Sequence, residues 1–184
     1  MNIILETERI ILRQFIEADV DDLLELNSDN DVVKYTPDAG CSFDYAQTQV
    51  KIAEIIESYQ RYNGYGIWAA IEKSSHSFIG WFLFRPVVDA SYFDPNLANE
   101  DDIELGYRLK KVFWGRGYAT EVSQALIDKG WESGIQKVLA VAIAANKASV
   151  RVMGKVGLQF KHRFVYEGIG QEVVIYALDN PLVR

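Results

Sequence analysis

Two glycines one residue apart, in Trp114-Gly115-Arg116-Gly117-Tyr118-Ala119-Thr120, lie where a strand-like run gives way to a helical pattern. Such a turn suits an anion. The first N–H groups of a helix have no intrahelical acceptor. Glycine lets the backbone approach a phosphate closely and adopt dihedrals that other residues avoid. A helix N-terminus alone contributes only about 0.3–1 kcal/mol to an exposed anion. Several converging N–H groups are therefore needed, and a Gly-x-Gly turn can supply them. The segment reads as a pyrophosphate-binding turn for a nucleotide-like ligand. A P-loop requires Gly-x-x-x-x-Gly-Lys-Ser/Thr, which is absent. A dinucleotide fingerprint requires a third glycine, and Thr120 stands in its place.

Composition removes other chemistries. The 184 residues carry a net charge of -7, and their dense charge clusters, such as 17–22 and 100–102, are acidic, so no basic stripe for nucleic acid exists. An acidic surface weakly favours amines or basic peptides, although most of these residues need only be solubilising. One cysteine, Cys41, makes no internal disulfide, and two histidines, His76 and His162, leave little material for a metal site. No run approaches the roughly 20 apolar residues of a membrane span. The expectation is a cytoplasmic single domain over 1–184, with no metal, no nucleic acid and no membrane partner.

The turn needs elements to position it. Residues 3–14 read as one strand, and 17–28 as a helix with Ile16, Val20, Leu23, Leu24 and Asn27 at helical spacing. Asp44 can cap a helix over 45–62, with Ala46, Val50, Ala53, Ile56 and Tyr59 as its apolar stripe. Strands over 65–71 and 78–84 flank a hairpin loop at 73–77, and 86–101 reads as a long exposed excursion. Residues 103–109 form the next strand, alternating Ile103, Leu105, Tyr107 and Leu109 against Glu104, Gly106 and Arg108. A helix over 117–133, a buried strand over 137–144, a short helix over 146–156 and two strands over 158–167 and 172–178 complete the chain. The order is β-α-α-β-β-β-α-β-α-β-β, a mixed sheet with helices on its faces.

Five segments together resemble the GNAT superfamily of N-acetyltransferases, in particular its ribosomal-protein N-terminal acetyltransferase-like (RimJ/RimL-like) group. They are Leu5 to Arg13, Ile103 to Tyr107, Trp114 to Ala119, Gly117 to Glu121, and Asn146-Lys147-Ala148-Ser149 leading to Gly157-Leu158. Trp114 departs from the Arg or Gln at the first position of the superfamily's cofactor motif, although an aromatic is common there in this group. The resemblance covers nearly the whole chain. It implies an α+β fold: a mostly antiparallel twisted sheet of six to seven strands, about four helices, and a splayed parallel strand pair that holds acetyl-CoA.

The resemblance also implies roles. Backbone groups around Tyr107 and Leu109 would meet the pantetheine amides. N–H groups of Trp114, Gly115, Arg116, Gly117, Tyr118, Ala119 and Thr120 would hold the pyrophosphate, with Arg116 adding charge. Asn146 would orient the cofactor and Ser149 would donate to the departing sulfur. Both residue types also suit helix caps. Glu104 and Glu167 are the two candidates for general base, and either can equally be a structural acceptor. An α-amino group near pKa 8 is about one-tenth neutral at pH 7, so a weak base or a water relay suffices. The expected substrate is a primary amine, a protein N-terminus or a small molecule; a non-catalytic acyl-CoA-binding domain is the contrasting reading. A homodimer is compatible with all of these.

Overall fold

The computed structural model describes residues 2–62 and 64–182. Thirteen elements follow in chain order: β1 (Ile3–Glu6), β2 (Ile10–Arg13), α1 (Val20–Ser28), α2 (Asn30–Val33), α3 (Tyr45–Ser58), β3 (Gly66–Glu72), β4 (Phe78–Pro86), β5 (Ile103–Leu109), α4 (Tyr118–Glu132), β6 (Lys137–Ile143), α5 (Lys147–Lys155), β7 (Gln159–Tyr166) and β8 (Gln171–Asp179). The strands form one sheet in the order β1-β2-β3-β4-β5-β6-β8-β7. The β5–β6 pair is parallel, and the β1–β2, β2–β3, β6–β8 and β7–β8 pairs are antiparallel. The mixed class holds, with eight strands and five α-helices among the described residues.

Three local expectations change. The strand over 3–14 is a hairpin, because Thr7 closes a turn with Ile10: Ile10 N–H donates to the Thr7 hydroxyl at 3.0 Å and Thr7 N–H donates to the Ile10 carbonyl at 2.9 Å. The α3 stripe is rotated in part: Ile56 and Tyr59 pack half-buried against the core, as expected. Thr48, Ile52 and Ile55 are buried, whereas Val50 is 61% exposed and Ala46 and Ala53 face solvent. Two isoleucines bury more apolar surface than two alanines, and area decides which face turns inward. The 86–101 excursion is exposed in part and packed in part. Val87 and Ala90 are buried against Leu139 and Ala177, with Tyr92, Phe93 and Ala98 beside them.

The chain divides into two compact units, residues 1–83 with 107–118, and residues 84–106 with 119–184. In the first, Phe15, Leu23, Leu26, Ile52, Ile55, Ala69 and Phe78 form the core. Asp44 caps α3 in a reciprocal box with Gln47. Arg13 and Asp19 make a buried bidentate pair, both bonds 2.7 Å. The Tyr59 hydroxyl accepts from Phe15 N–H at 3.0 Å and donates to the Ile67 carbonyl at 2.5 Å, which ties α3 to β3. In the second unit, β6 pairs with β8 along its full length, Lys137↔Asp179 to Ile143↔Val173.

Candidate active site

The turn after β5 starts with a short 3-10 segment, Lys111–Phe113. Gly115 and Gly117 both lie in the left-handed region, at φ 74° and 85°. That conformation costs a residue with a Cβ about 1–2 kcal/mol, which is why glycine occupies both places. The Trp114 N–H donates to the Lys111 carbonyl at 3.1 Å, so the open N–H groups begin at Gly115. Those of Gly115, Arg116 and Gly117 meet no backbone acceptor among the described residues. The first N–H groups of α4, from Tyr118 through Thr120, are open by position. Trp114 anchors the turn from the other side, its indole N–H donating to the Leu109 carbonyl at 2.8 Å.

Arg9 also holds the turn, and its place there was not readable from its neighbours in sequence. Its Nη1 donates to the Arg116 carbonyl at 3.0 Å, and its guanidinium stands 4.4 Å from the centre of the Tyr118 ring. The Tyr118 hydroxyl donates to Glu72. That bond raises the Tyr118 phenol above its ordinary range. Glu72 is held below the ordinary carboxylate range by its bond from Ser75 and then by the one from Tyr118. Arg116 lies over Phe113 at 5.3 Å. The neighbouring lysines are engaged elsewhere. Lys110 bonds Asp22 at 2.9 Å and Glu25 at 2.7 Å, and Lys111 bonds Asp31 at 2.5 Å. Burial pulls Lys110 down, but its two carboxylate partners outweigh that and hold it above its ordinary value.

The parallel pairing of β5 with β6 is short. In the second unit the parallel ladder contains Ile103↔Val138 and Glu104↔Leu139, and no register continues it at Leu105 and Gly106. Within the second unit the ladder on that side of β5 stops at Glu104. The opposite side stays paired to β4, with Lys110 N–H donating to the Ile79 carbonyl at 2.8 Å. Tyr107 packs its ring 5.7 Å from that of Phe82, and Leu109 is buried. At Gly80 the two strands come so close that a Cβ would lie 2.1 Å from the Arg108 carbonyl oxygen.

The second unit holds the remaining candidates. Asn146 caps α5, its side-chain oxygen accepting from Ser149 N–H at 3.2 Å. The cap is therefore real, and it fixes the backbone of Ser149 in the first turn of the helix. Glu104 is buried and accepts from Arg85 Nε at 3.1 Å. Beside it the Tyr92 hydroxyl is buried; burial and then the Glu104 charge push it well above the ordinary phenol range. Glu167 is exposed in the turn between β7 and β8.

The first unit also contains a cavity of about 500 Å³. Leu23, Phe43, Ile55, Ile67 and Trp81 give it apolar walls, and Asn27, Asp38, Gln47, Lys51 and Arg108 give it polar groups. Arg108 donates to Asn27 Oδ1 at 2.5 Å and to Asp38 Oδ2 at 2.7 Å, with its guanidinium 5.4 Å from the Trp81 ring. Sequence separations of 81 and 70 residues join these partners, so no local pattern could have shown them. Of the four tryptophans, Trp81 lines this cavity, Trp68 is core and Trp114 is 46% exposed. Among the described residues, no helix is long and apolar enough to cross a membrane, and no group of three or more His, Cys, Asp or Glu could hold a metal ion.

Comparison with known proteins agrees with this geometry. The sequence pattern of the Acetyltransferase (GNAT) domain matches residues 9–159. The chain is 33% identical over 161 residues to the uncharacterized protein YkkB of Bacillus subtilis (strain 168), covering 85% of each. Its fold is similar to that of a GNAT-family acetyltransferase from Bacillus anthracis, with a TM-score of 0.78, 23% identity, and coverage of 96% of this chain and 98% of that one. It is also similar to RimL, a ribosomal L7/L12 alpha-N-protein acetyltransferase solved in complex with coenzyme A, with a TM-score of 0.77, 19% identity, and coverage of 97% and 98%. An open glycine turn before a helix, a parallel strand pair whose ladder stops short, and a family match over most of the sequence converge: the chain belongs to the GNAT acetyltransferase family and is an acetyl-CoA-dependent N-acetyltransferase.

Proposed function

We propose that the acceptor is an α-amino group, that of a peptide or protein N-terminus, and that one acetyltransferase domain over 1–184 carries the reaction. The observation that carries the cofactor side is the turn with Gly115 and Gly117 at positive φ and its open N–H groups. The donor supplies an acetyl thioester. Gly115 to Thr120 bind its pyrophosphate through backbone N–H groups, with Trp114 and Arg9 fixing the turn. Backbone groups of β5 around Tyr107 and Leu109 orient the pantetheine arm, and a β5 N–H polarises the carbonyl under attack. Asn146 positions the first turn of α5, and the Ser149 hydroxyl gives a proton to the departing sulfur. Glu104 or Glu167, directly or through water, takes the proton from the amine. An α-amino acceptor needs little help from a base, because about one-tenth of it is already neutral at pH 7. The likeness to RimL supports the peptide reading. The cavity of about 500 Å³ supports a second reading, a small-molecule amine, since it falls in the size range of small-ligand pockets.

The test is release of free thiol from acetyl-CoA over a panel of peptide N-termini and free amines, with Ser149→Ala alongside. Peptides are expected to be the better acceptors. Ser149→Ala should slow kcat about 100-fold with the KM for acetyl-CoA little changed, within the range of general acid–base contributions. Thiol release confined to small amines would replace the peptide reading, and full activity in Ser149→Ala would remove the proton-donor role.

A further inference from the structure

The guanidinium of Arg108 is held more completely than a merely structural arginine requires, yet it is not fully satisfied. Its side chain is 10% exposed, Asn27 and Asp38 take its two terminal nitrogens, and Trp81 covers its face. Its Nε–H is buried with no hydrogen-bond partner. A buried donor left unmade is costly, and sites where one persists call for a partner. Here the residue lines the cavity of about 500 Å³.

The charges around that cavity are unevenly distributed. Among the described residues Asp38 is the only carboxylate of its lining, and the oxygen Oδ2 is already engaged by Arg108. Lys51 lines the cavity as well and is paired with Glu54 only at the surface, at 3.1 Å with both side chains 60% exposed. Such exposed pairs contribute little, so the lysine can turn to another anion. The cavity therefore offers two cations against one neutralised carboxylate, beside the apolar surfaces of Phe43, Ile67 and Trp81. Among the described lining residues a polyamine would find one carboxylate, Asp38, and that one is already paired with Arg108. An α-aminoacyl unit with a bulky apolar side chain would fit: its carboxylate or carbonyl oxygen meets Arg108 and Lys51, and its side chain lies on the aromatic walls.

We propose that this cavity is the acceptor subsite, and that the juxtaposition of Arg108, Lys51 and Trp81 makes it selective for apolar α-aminoacyl groups and against polyamines. The proposal deepens the α-amino reading above and rests on it. No bond is made or broken in this recognition, so binding alone tests it.

The probes are N-acetylphenylalanine, N-acetylphenylalanyl-glycinamide, N-acetylphenethylamine and N-acetylspermidine. Binding to the full-length protein is measured by calorimetry. The site is located by protection of Cys41, the only cysteine and a residue of the cavity wall, from iodoacetamide. N-acetylphenylalanine or its glycinamide should bind about tenfold tighter than N-acetylphenethylamine, the worth of one charge-assisted hydrogen bond, and should slow Cys41 alkylation. Whichever of the two binds tighter distinguishes a free amino acid from a peptide N-terminus. Arg108→Lys should remove the tenfold preference. Should that variant fold poorly, Lys51→Gln, a substitution at an exposed side chain, should reduce it severalfold. Equal or tighter binding of N-acetylspermidine, or binding of the phenylalanine probes without protection of Cys41, overturns the proposal. So does binding of none of the four, and thiol release on some other amine would then leave the acetyl-transfer reading standing.

Discussion

Arg9 stands three residues after Glu6, at the end of β1, yet its guanidinium reaches the Arg116 carbonyl 107 positions away. At this scale the cofactor turn is a set of separable contacts. Arg9→Ala removes, among its contacts, the hydrogen bond to the Arg116 carbonyl and the packing on Tyr118, with a net contribution of about 0.5–1.5 kcal/mol for such a bond. The expected result is a KM for acetyl-CoA raised about three- to tenfold, with kcat little changed, read by thiol release across acetyl-CoA concentrations. An unchanged KM would mean that the turn holds its shape without Arg9. Gly117→Ala acts on the backbone instead. At φ 85° a Cβ costs about 1–2 kcal/mol, and its nearest neighbour, Arg9 Nη2 at 3.5 Å, leaves room for it. The strain should appear as weaker acetyl-CoA binding, roughly tenfold, with a drop in Tm of only a few degrees.

At the scale of elements, the close crossing of β4 and β5 at Gly80 is a tight constraint in the first unit. Gly80→Ala would set a Cβ 2.1 Å from the Arg108 carbonyl oxygen, and backbone cannot yield as a flexible side chain can. The strands would separate, and Arg108 would move with them. Overpacking of this kind costs about 1–3 kcal/mol or more, which corresponds to a Tm lower by roughly 3–10 °C in a chain of this size. The rotated face of α3 gives a second check. Ile52→Ala should cost about 2–5 kcal/mol because Ile52 is 1% exposed, whereas Val50→Ala should change stability by less than about 0.5 kcal/mol. Thermal unfolding of the two variants side by side decides which face packs; equal losses would restore the stripe through Val50.

Across the whole molecule, stability depends on pH through Tyr59. Burial pushes its phenol up to about 12, from an ordinary value of 10.0. The fold thus favours the neutral hydroxyl. Its contribution is complete below pH 10 and is lost as pH rises toward 12, because the unfolded chain ionises first. Denaturant unfolding from pH 9 to 12 should show that decline, and Tyr59→Phe should flatten it. The same variant should lose about 1–3 kcal/mol at neutral pH, since Phe15 N–H and the Ile67 carbonyl lose their partner. A Tyr59→Phe slope as steep as that of the native protein would assign the alkaline loss to other groups.

What the sequence by itself determined is local. The glycine turn, the strand before it, the helix after it and the Asn146 cap are all set by dihedral preference, period and capping chemistry within a few residues. The glycine turn was readable for that reason, and so was the order of most elements. The hairpin at Thr7 was not, because the apolar runs on either side of it have the same character. Only the tertiary structure brought Arg9 and Glu72 to the turn, engaged Lys110 with Asp22 and Glu25, paired Glu104 with Arg85 and closed a cavity around Arg108. Those contacts join residues far apart in the chain, and whether a charged side chain meets water, a partner or a ligand depends on what the sheet brings beside it. The turn therefore pointed from sequence to a nucleotide-like ligand, and its resemblance to GNAT segments to acetyl-CoA, while the acceptor became a question of shape and charge only in the folded chain.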